Sequence, residues 1–220
     1  MNSDPTAYGQ YVDSTMMYIS LVSLTFLLGI SATMVYFVFK YNRKKGVKPV
    51  DIHGSMLLET VWFVIPLILV MSMFYYGFIG YKDFRTIPKD ALEINVTARM
   101  WNWDFVYANG MNLDTLYVPV NKSIKLNLIS NDVNHALYIP AFRIKQDVIG
   151  GTQHYMIFKA DKIGSYNIAC AEYCGLDHSA MYTRVVVMPE EEYNKWYESN
   201  TKDEIKEIKT EEVAKKDSTN

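Results

Sequence analysis

The chain has 220 residues, half of them hydrophobic, with 22 Lys or Arg against 24 Asp or Glu, a formal net charge of -2 and a mean hydropathy of -0.05. A near-neutral chain of this kind excludes nucleic acid as the main partner, and two cysteines are too few for a disulfide framework. High apolar content with a mean hydropathy near zero means that the apolar residues are concentrated in parts of the chain.

Residues 1–15 form a first segment without Lys or Arg. From 16 to 39 the chain reads "MMYISLVSLTFLLGISATMVYFVF", with no charge. As a helix this run is ~36 Å long, enough to cross a hydrocarbon core of ~30 Å. The linker 40–56 carries Lys40, Arg43, Lys44, Lys45 and Lys48. Residues 57–81 hold a second uncharged run from Val61, with Trp62 near one end and Tyr75, Tyr76 and Tyr81 towards the other. Aromatics at the ends suit the two membrane interfaces, and the basic linker keeps its side cytoplasmic, so both termini face outward. The first span lacks a basic flank and a small-residue cleavage site, and reads as a retained anchor.

After a polar linker at 82–90 the pattern changes to alternation. "LEINVTARMWNWDFVY" puts Ile94, Val96, Ala98 and Met100 on one face, and "SIKLNLIS" does the same for Ile124, Leu126 and Leu128. Short β-rich runs separated by turn signals predict an all-β sandwich over residues 91–188. Residues 189–200 predict a short helix that docks through Tyr193, Trp196 and Tyr197, and 201–220 a charged, disordered tail.

Both cysteines fall in "CAEYCGLDHSAM", where Cys170, Cys174, His178 and Met181 follow the spacing C-x3-C-x3-H-x2-M. A disulfide across three intervening residues would leave the histidine and methionine unexplained. Structural zinc takes thiolate and imidazole but has little use for a thioether. Thioether, thiolate and imidazole together favour copper, although Met181 alone could be a core residue. A mononuclear blue-copper site uses one cysteine; two, four residues apart, can be shared by two copper ions. His135, in "SNDVNHALYIPAF", is the candidate for the missing imidazole. His53 lies on the linker and His154 in a strand, and both read as ordinary residues.

With His135 at this spacing, residues 16–188 resemble subunit II of the haem–copper cytochrome c oxidases. The resemblance implies two transmembrane helices and a cupredoxin-like sandwich carrying the binuclear copper centre CuA. Its ligands would be His135, Cys170, the backbone carbonyl of Glu172, Cys174, His178 and Met181. The Glu172 carboxylate would face a magnesium ion at the boundary with subunit I. Trp101 matches the tryptophan through which electrons enter, with Trp103 supporting it; from pattern alone both could face outward or be turned inward by a bulge. Glu59, at the cytoplasmic mouth of the second span, either reaches into water or marks the entrance of a proton path, and the resemblance favours the proton path.

The implied role is electron transfer in a respiratory terminal oxidase of the bacterial plasma (inner) membrane, with the copper domain outside. Electrons would pass from cytochrome c to the haem of subunit I, for reduction of O2 to water coupled to proton pumping; subunit III is a further expected partner. Asp104, Asp114 and Asp132 are the candidate docking carboxylates for a basic donor, sparser than in many relatives. The stretch "DVIGG" departs from the family pattern by Gly150 in place of proline, with Asp147 retained. No C-x-x-C-H motif for haem c occurs. The rival readings are the matching subunit of a copper-containing nitric oxide reductase, and a zinc or disulfide module on a membrane anchor.

Overall fold

The computed structural model describes residues 5–201 apart from 47, 49 and 52. It divides into two compact units: Tyr11–Asp83, and the chain from Phe84 onward together with the segment before Tyr11.

Two helices, α1 (Ala7–Lys40) and α2 (Met56–Arg85), supply the first unit, both long and apolar enough to cross a membrane; the start of α1, before Tyr11, and the end of α2, from Phe84, belong to the second unit. α1 starts nine residues before the apolar run at 16–39. The reason is capping, one part local and one remote in sequence: Thr6 Oγ1 accepts the Gly9 amide at 2.9 Å, and Asp161 Oδ2 accepts that of Ala7 at 2.7 Å. α2 outruns the expected 57–81 by a turn, through Lys82 to Arg85, and ends three residues before Pro88. Two threonine hydroxyls inside the first apolar run are satisfied within their own helix. Thr25 and Thr33 each donate to the carbonyl four residues back, at 2.8 Å, which removes the cost of an unpaired donor in lipid. The two helices meet where the Tyr11 ring lies against Gly80, a position where any Cβ would collide with it. Further along, the Tyr18 hydroxyl meets Ser72 Oγ at 2.6 Å.

The second unit is a sandwich of ten strands. They are β1 (Leu92–Arg99), β2 (Asn102–Val106), β3 (Asn112–Leu113), β4 (Leu116–Pro119), β5 (Ser123–Ser130), β6 (His135–Ile139), β7 (Ile144–Val148), β8 (His154–Lys159), β9 (Gly164–Cys170) and β10 (Tyr182–Met188). One sheet has the order β3-β2-β1-β5-β8 and the other β4-β10-β9-β6-β7. Alternation places Ile94, Val96 and Ala98 of β1 and Ile124, Leu126 and Leu128 of β5 in the shared core.

One expectation is corrected. The run 92–107 is not a single alternating strand: it folds back at Met100–Trp101, with Arg99 opposite Asn102 and Ala98 opposite Trp103. Met100 therefore leaves the core face and is exposed, whereas Trp103 points inward and is buried. A two-residue hairpin turn normally advertises itself with Gly, Asn or Asp, and "MW" carries none of these.

The helix at 190–201, here α3, packs Trp196 against Tyr107 and Tyr117 with ring centroids 5.6 and 4.8 Å apart, and buries Tyr193. The tail expected at 201–220 lies, from residue 202, outside the described residues.

Candidate metal centre

One end of the sandwich gathers ligands from three places in the sequence. β9 delivers Cys170 as its last residue, and the loop that follows returns through a 3-10 turn at His178–Ala180 to Met181, just before β10. The Cys170 amide donates to the Met181 carbonyl at 3.1 Å, closing the base of this loop, and the Ala171 amide donates to the Ala136 carbonyl at 3.0 Å, tying it to β6. β6 begins with His135, which is wholly buried.

The side chains converge. Cys170 Sγ lies 3.8 Å from Cys174 Sγ, and no disulfide joins them. Cys170 Sγ is also 3.8 Å from His135 Nδ1 and 3.2 Å from the Glu172 carbonyl oxygen. Cys174 Sγ is 3.6 Å from His178 Nδ1 and 3.8 Å from Met181 Sδ. Two thiols stand side by side, each with an imidazole nitrogen beside it. His135, Cys170 and Cys174 place their ligand atoms within 4.8 Å of one another. Cys174 and Met181 are buried, His178 is half-buried, and the Tyr173 ring covers His178 edge-on at 5.8 Å. Burial, with a hydrogen bond and charge from Cys170, pushes the Cys174 thiol up to about 11; a cation between the sulfurs would remove that penalty by favouring both thiolates.

The surroundings hold this geometry. His135 turns Nε2 to Asp132 Oδ1 at 2.8 Å, leaving Nδ1 toward Cys170. Burial opposes ionisation of Asp132, but bonds from His135 and from the Met100 and Val133 amides outweigh it and hold the carboxyl below its ordinary value. The same carboxylate thus fixes the Met100–Trp101 turn, with the Met100 amide at 2.7 Å. Trp103 backs His135 edge-on at 6.1 Å. Trp101 is half-buried and donates its indole N–H to the Cys174 carbonyl at 3.2 Å. Its ring packs over Gly175, where a φ of 118° and an indole that would stand only 3.3 Å from a Cβ both favour glycine.

Sequence reasoning missed the inward role of Asp132, which it read as a docking carboxylate. The signal was there as D-x-x-H: an aspartate three residues before a candidate ligand histidine. Asp104 is likewise engaged, in a two-pronged pair with Arg99 at 2.8 and 3.1 Å. Glu172 is exposed, with its backbone carbonyl turned to Cys170. Glu59 stands exposed in the first turn of α2, in the other unit.

Comparison with known proteins places these features. Residues 68–188 match the family described as cytochrome C oxidase subunit II, periplasmic domain, and residues 4–79 match its transmembrane domain. The chain belongs to the cytochrome c oxidase subunit II family. It is 26% identical over 220 aligned residues to the alternative cytochrome c oxidase subunit 2 of Bradyrhizobium diazoefficiens, covering 86% of this chain and 79% of that protein. It is 30% identical to cytochrome c oxidase subunit 2 of Alkalihalophilus pseudofirmus, covering 83% of this chain but only 56% of that longer protein. The crystal structure of the periplasmic domain of subunit II of cytochrome oxidase from Bradyrhizobium japonicum superposes with a TM-score of 0.50 at 32% identity, over 54% of this chain and 99% of that one. The sandwich is accordingly the cupredoxin-like domain of subunit II, carried by a membrane anchor, and the protein works as one component of an oxidase.

The donor set fits the copper that the family implies. Two unpaired thiols, two imidazoles, a thioether and a carbonyl match the soft-plus-borderline preference of copper better than zinc, which has little use for the thioether.

Proposed function

We propose that this chain is the electron-accepting subunit of a respiratory terminal oxidase, with His135, Cys170, the Glu172 carbonyl, Cys174, His178 and Met181 holding a binuclear CuA centre. The observation that carries the reading is the pair of buried, unbonded sulfurs 3.8 Å apart, each beside an imidazole nitrogen. A copper pair bound there would supply one-electron transfer, with Cys170 and Cys174 as the thiolates that would share its charge.

The protein's part is to keep those ligands still and dry. The β6 and β9 backbones fix His135 and Cys170, the Cys170 amide holds the Met181 carbonyl, and Asp132 holds the His135 ring with Nδ1 inward. Met181 and Trp103 exclude water from the inner side. Trp101 joins the surface to the metal loop through its bond to the Cys174 carbonyl and is the point of electron entrance. Cytochrome c is the donor class and subunit I, carrying haem and CuB, the acceptor; subunit III completes the complex. Reduction of O2 to water and proton pumping belong to the assembled complex, with the Glu59 carboxylate at the entrance of a proton path. The Glu172 carboxylate would face a magnesium ion at the boundary with subunit I.

The test is metal analysis with electron paramagnetic resonance of the oxidised protein. Two coppers per chain and one unpaired spin shared by two nuclei are expected; one zinc, or a spin confined to a single copper, removes the reading.

A further inference from the structure

The helical hairpin is closed at one end and forked at the other. α1 and α2 touch through Tyr11 with Gly80 and Tyr18 with Ser72, near the start of α1 and the end of α2. Toward the linker they no longer cover each other. Val22 and Pro66 are the last half-buried residues, and every residue from 23 to 40 and from 56 to 65 is exposed. Gly29, on the open stretch of α1, has nothing within 4 Å of where a Cβ would stand. At the fork, Val22, Ser23, Phe26, Pro66, Val70 and Met73 line a groove of about 310 Å³, and of these only Ser23 is polar. Pro66 lies ten residues into α2 from Met56, ~15 Å of helix. That is one leaflet's share of a ~30 Å hydrocarbon core, so the groove stands near the midplane when the linker stands at the surface.

The linker supplies charge. Lys40, Arg43, Lys44, Lys45 and Lys48 share this side of the hairpin with two carboxylates, Asp51 and Glu59. Lys40 is folded over the Tyr36 and Tyr41 rings, 5.1 and 5.4 Å from their centroids. Arg43, Lys44 and Lys45 form an exposed 3-10 turn closed by Asn42 and Gly46, and among the described residues none of the three makes an ion pair. Unpaired cations at the inner membrane surface attract anionic headgroups, and the Arg43 fork can hold a phosphate on two bonds. A groove this narrow takes the end of one acyl chain, whereas a helix, ~10 Å across with its side chains, could only lie over it. We propose that the linker side of the hairpin holds one anionic phospholipid of the inner leaflet. Its phosphate sits on the Arg43–Lys45 turn, and one acyl chain runs between α1 and α2 into the groove at Phe26 and Pro66. None of the copper ligands takes part, so the site stands or falls independently of the metal centre.

The experiment offers the purified full chain, in mixed micelles, phosphatidylglycerol and phosphatidylcholine with the same acyl chains, and weighs the retained lipid by native mass spectrometry. One phosphatidylglycerol per chain is expected, preferred at least about tenfold over phosphatidylcholine. Arg43→Gln, Lys44→Gln and Lys45→Gln together should bring that preference below about twofold. Val22→Phe and Val70→Phe fill the groove from different helices, and each should lower retention at least about fivefold with the basic turn intact. Trp62, one turn before Pro66 on the same face of α2, is the only tryptophan between residues 11 and 83. Phosphatidylglycerol brominated in its chains should therefore quench Trp62 when retained. Circular dichroism and the copper resonance of these variants should match the wild type, which separates loss of lipid from loss of fold. The proposal is overturned if phosphatidylcholine is retained equally well, or if both groove variants keep the lipid. Displacement by excess inorganic phosphate would overturn it too, since the turn would then be an anion site without a chain. So would a purified oxidase complex that carries no such lipid and shields Trp62 from brominated chains, because a partner's helix would then cover the groove.

Discussion

The hairpin and the sandwich use apolar residues in opposite ways. In α1 and α2 the large side chains of the apolar runs are mostly exposed within the unit, because lipid is their solvent and composition alone does the work. In the sandwich the same residue types are buried at alternating positions, and each has one place to go. The first region specifies by average hydropathy and the second by register. Position-by-position sensitivity should therefore be concentrated in the sandwich, and highest at its metal end.

The largest effect expected is loss of the metal centre. Cys170→Ser removes one of two paired sulfurs, so the shared-spin resonance should disappear while the anchor still inserts, as read by membrane fractionation. Retention of two coppers in that variant would mean that the sulfurs are not shared. Next comes a matched pair. Leu126→Ala opens a cavity in a fully buried layer and should cost about 2–5 kcal/mol in denaturant unfolding of the domain. Leu28→Ala, on an exposed face of α1, should cost less than about 1 kcal/mol in membrane insertion. Equal costs would break the contrast between the two regions.

Gly175→Ala tests the seam between fold and site. A Cβ there needs an unfavourable φ and meets the indole of Trp101 at 3.3 Å, so about 1–3 kcal/mol of domain stability should be lost. Electron transfer into the centre should also slow as the indole shifts.

How much of this was legible beforehand follows from the same contrast. Spans and sandwich class could be read because they depend on hydropathy and period two, which survive without knowledge of neighbours. The metal loop stood out because its residue types are rare and crowded into twelve positions. What could not be read was the reversal at Met100–Trp101. Its turn lacks the residues that mark one, and pairing of Ala98 with Trp103 is decided by the core rather than by the turn. The same blindness hid the role of Asp132: a carboxylate in a polar loop looks solvated until the fold brings His135 Nε2 to it. The early start of α1 was concealed for a related reason, since one of its caps, Asp161, is remote in sequence.

A pH effect isolates the thiols. The folded Cys174 thiol is raised to about 11 by burial and by Cys170, from an ordinary value of 9.0. A raised value means that the folded state holds the proton more tightly than the unfolded one. In metal-free protein the associated stability is fully present below pH 9 and is lost as pH rises from about 9 to about 11. Thermal unfolding should show this decline in the metal-free domain, and Cys174→Ala should flatten it.

The smallest effect is expected inside the hairpin, at its most specific polar contact. The Tyr18 hydroxyl meets Ser72 Oγ at 2.6 Å, and Ser72 itself donates to the Leu69 carbonyl at 2.6 Å. Tyr18→Phe leaves Ser72 satisfied by its own helix, so no buried donor is orphaned. The loss is then only that of one interhelical hydrogen bond in a membrane, about 0.6 kcal/mol on average. Unfolding of the full chain in mixed micelles should shift by no more than this, with oxidase turnover unchanged. A cost of several kcal/mol would mean that the hairpin is held by position, as the sandwich is, and that its tolerance has been overstated.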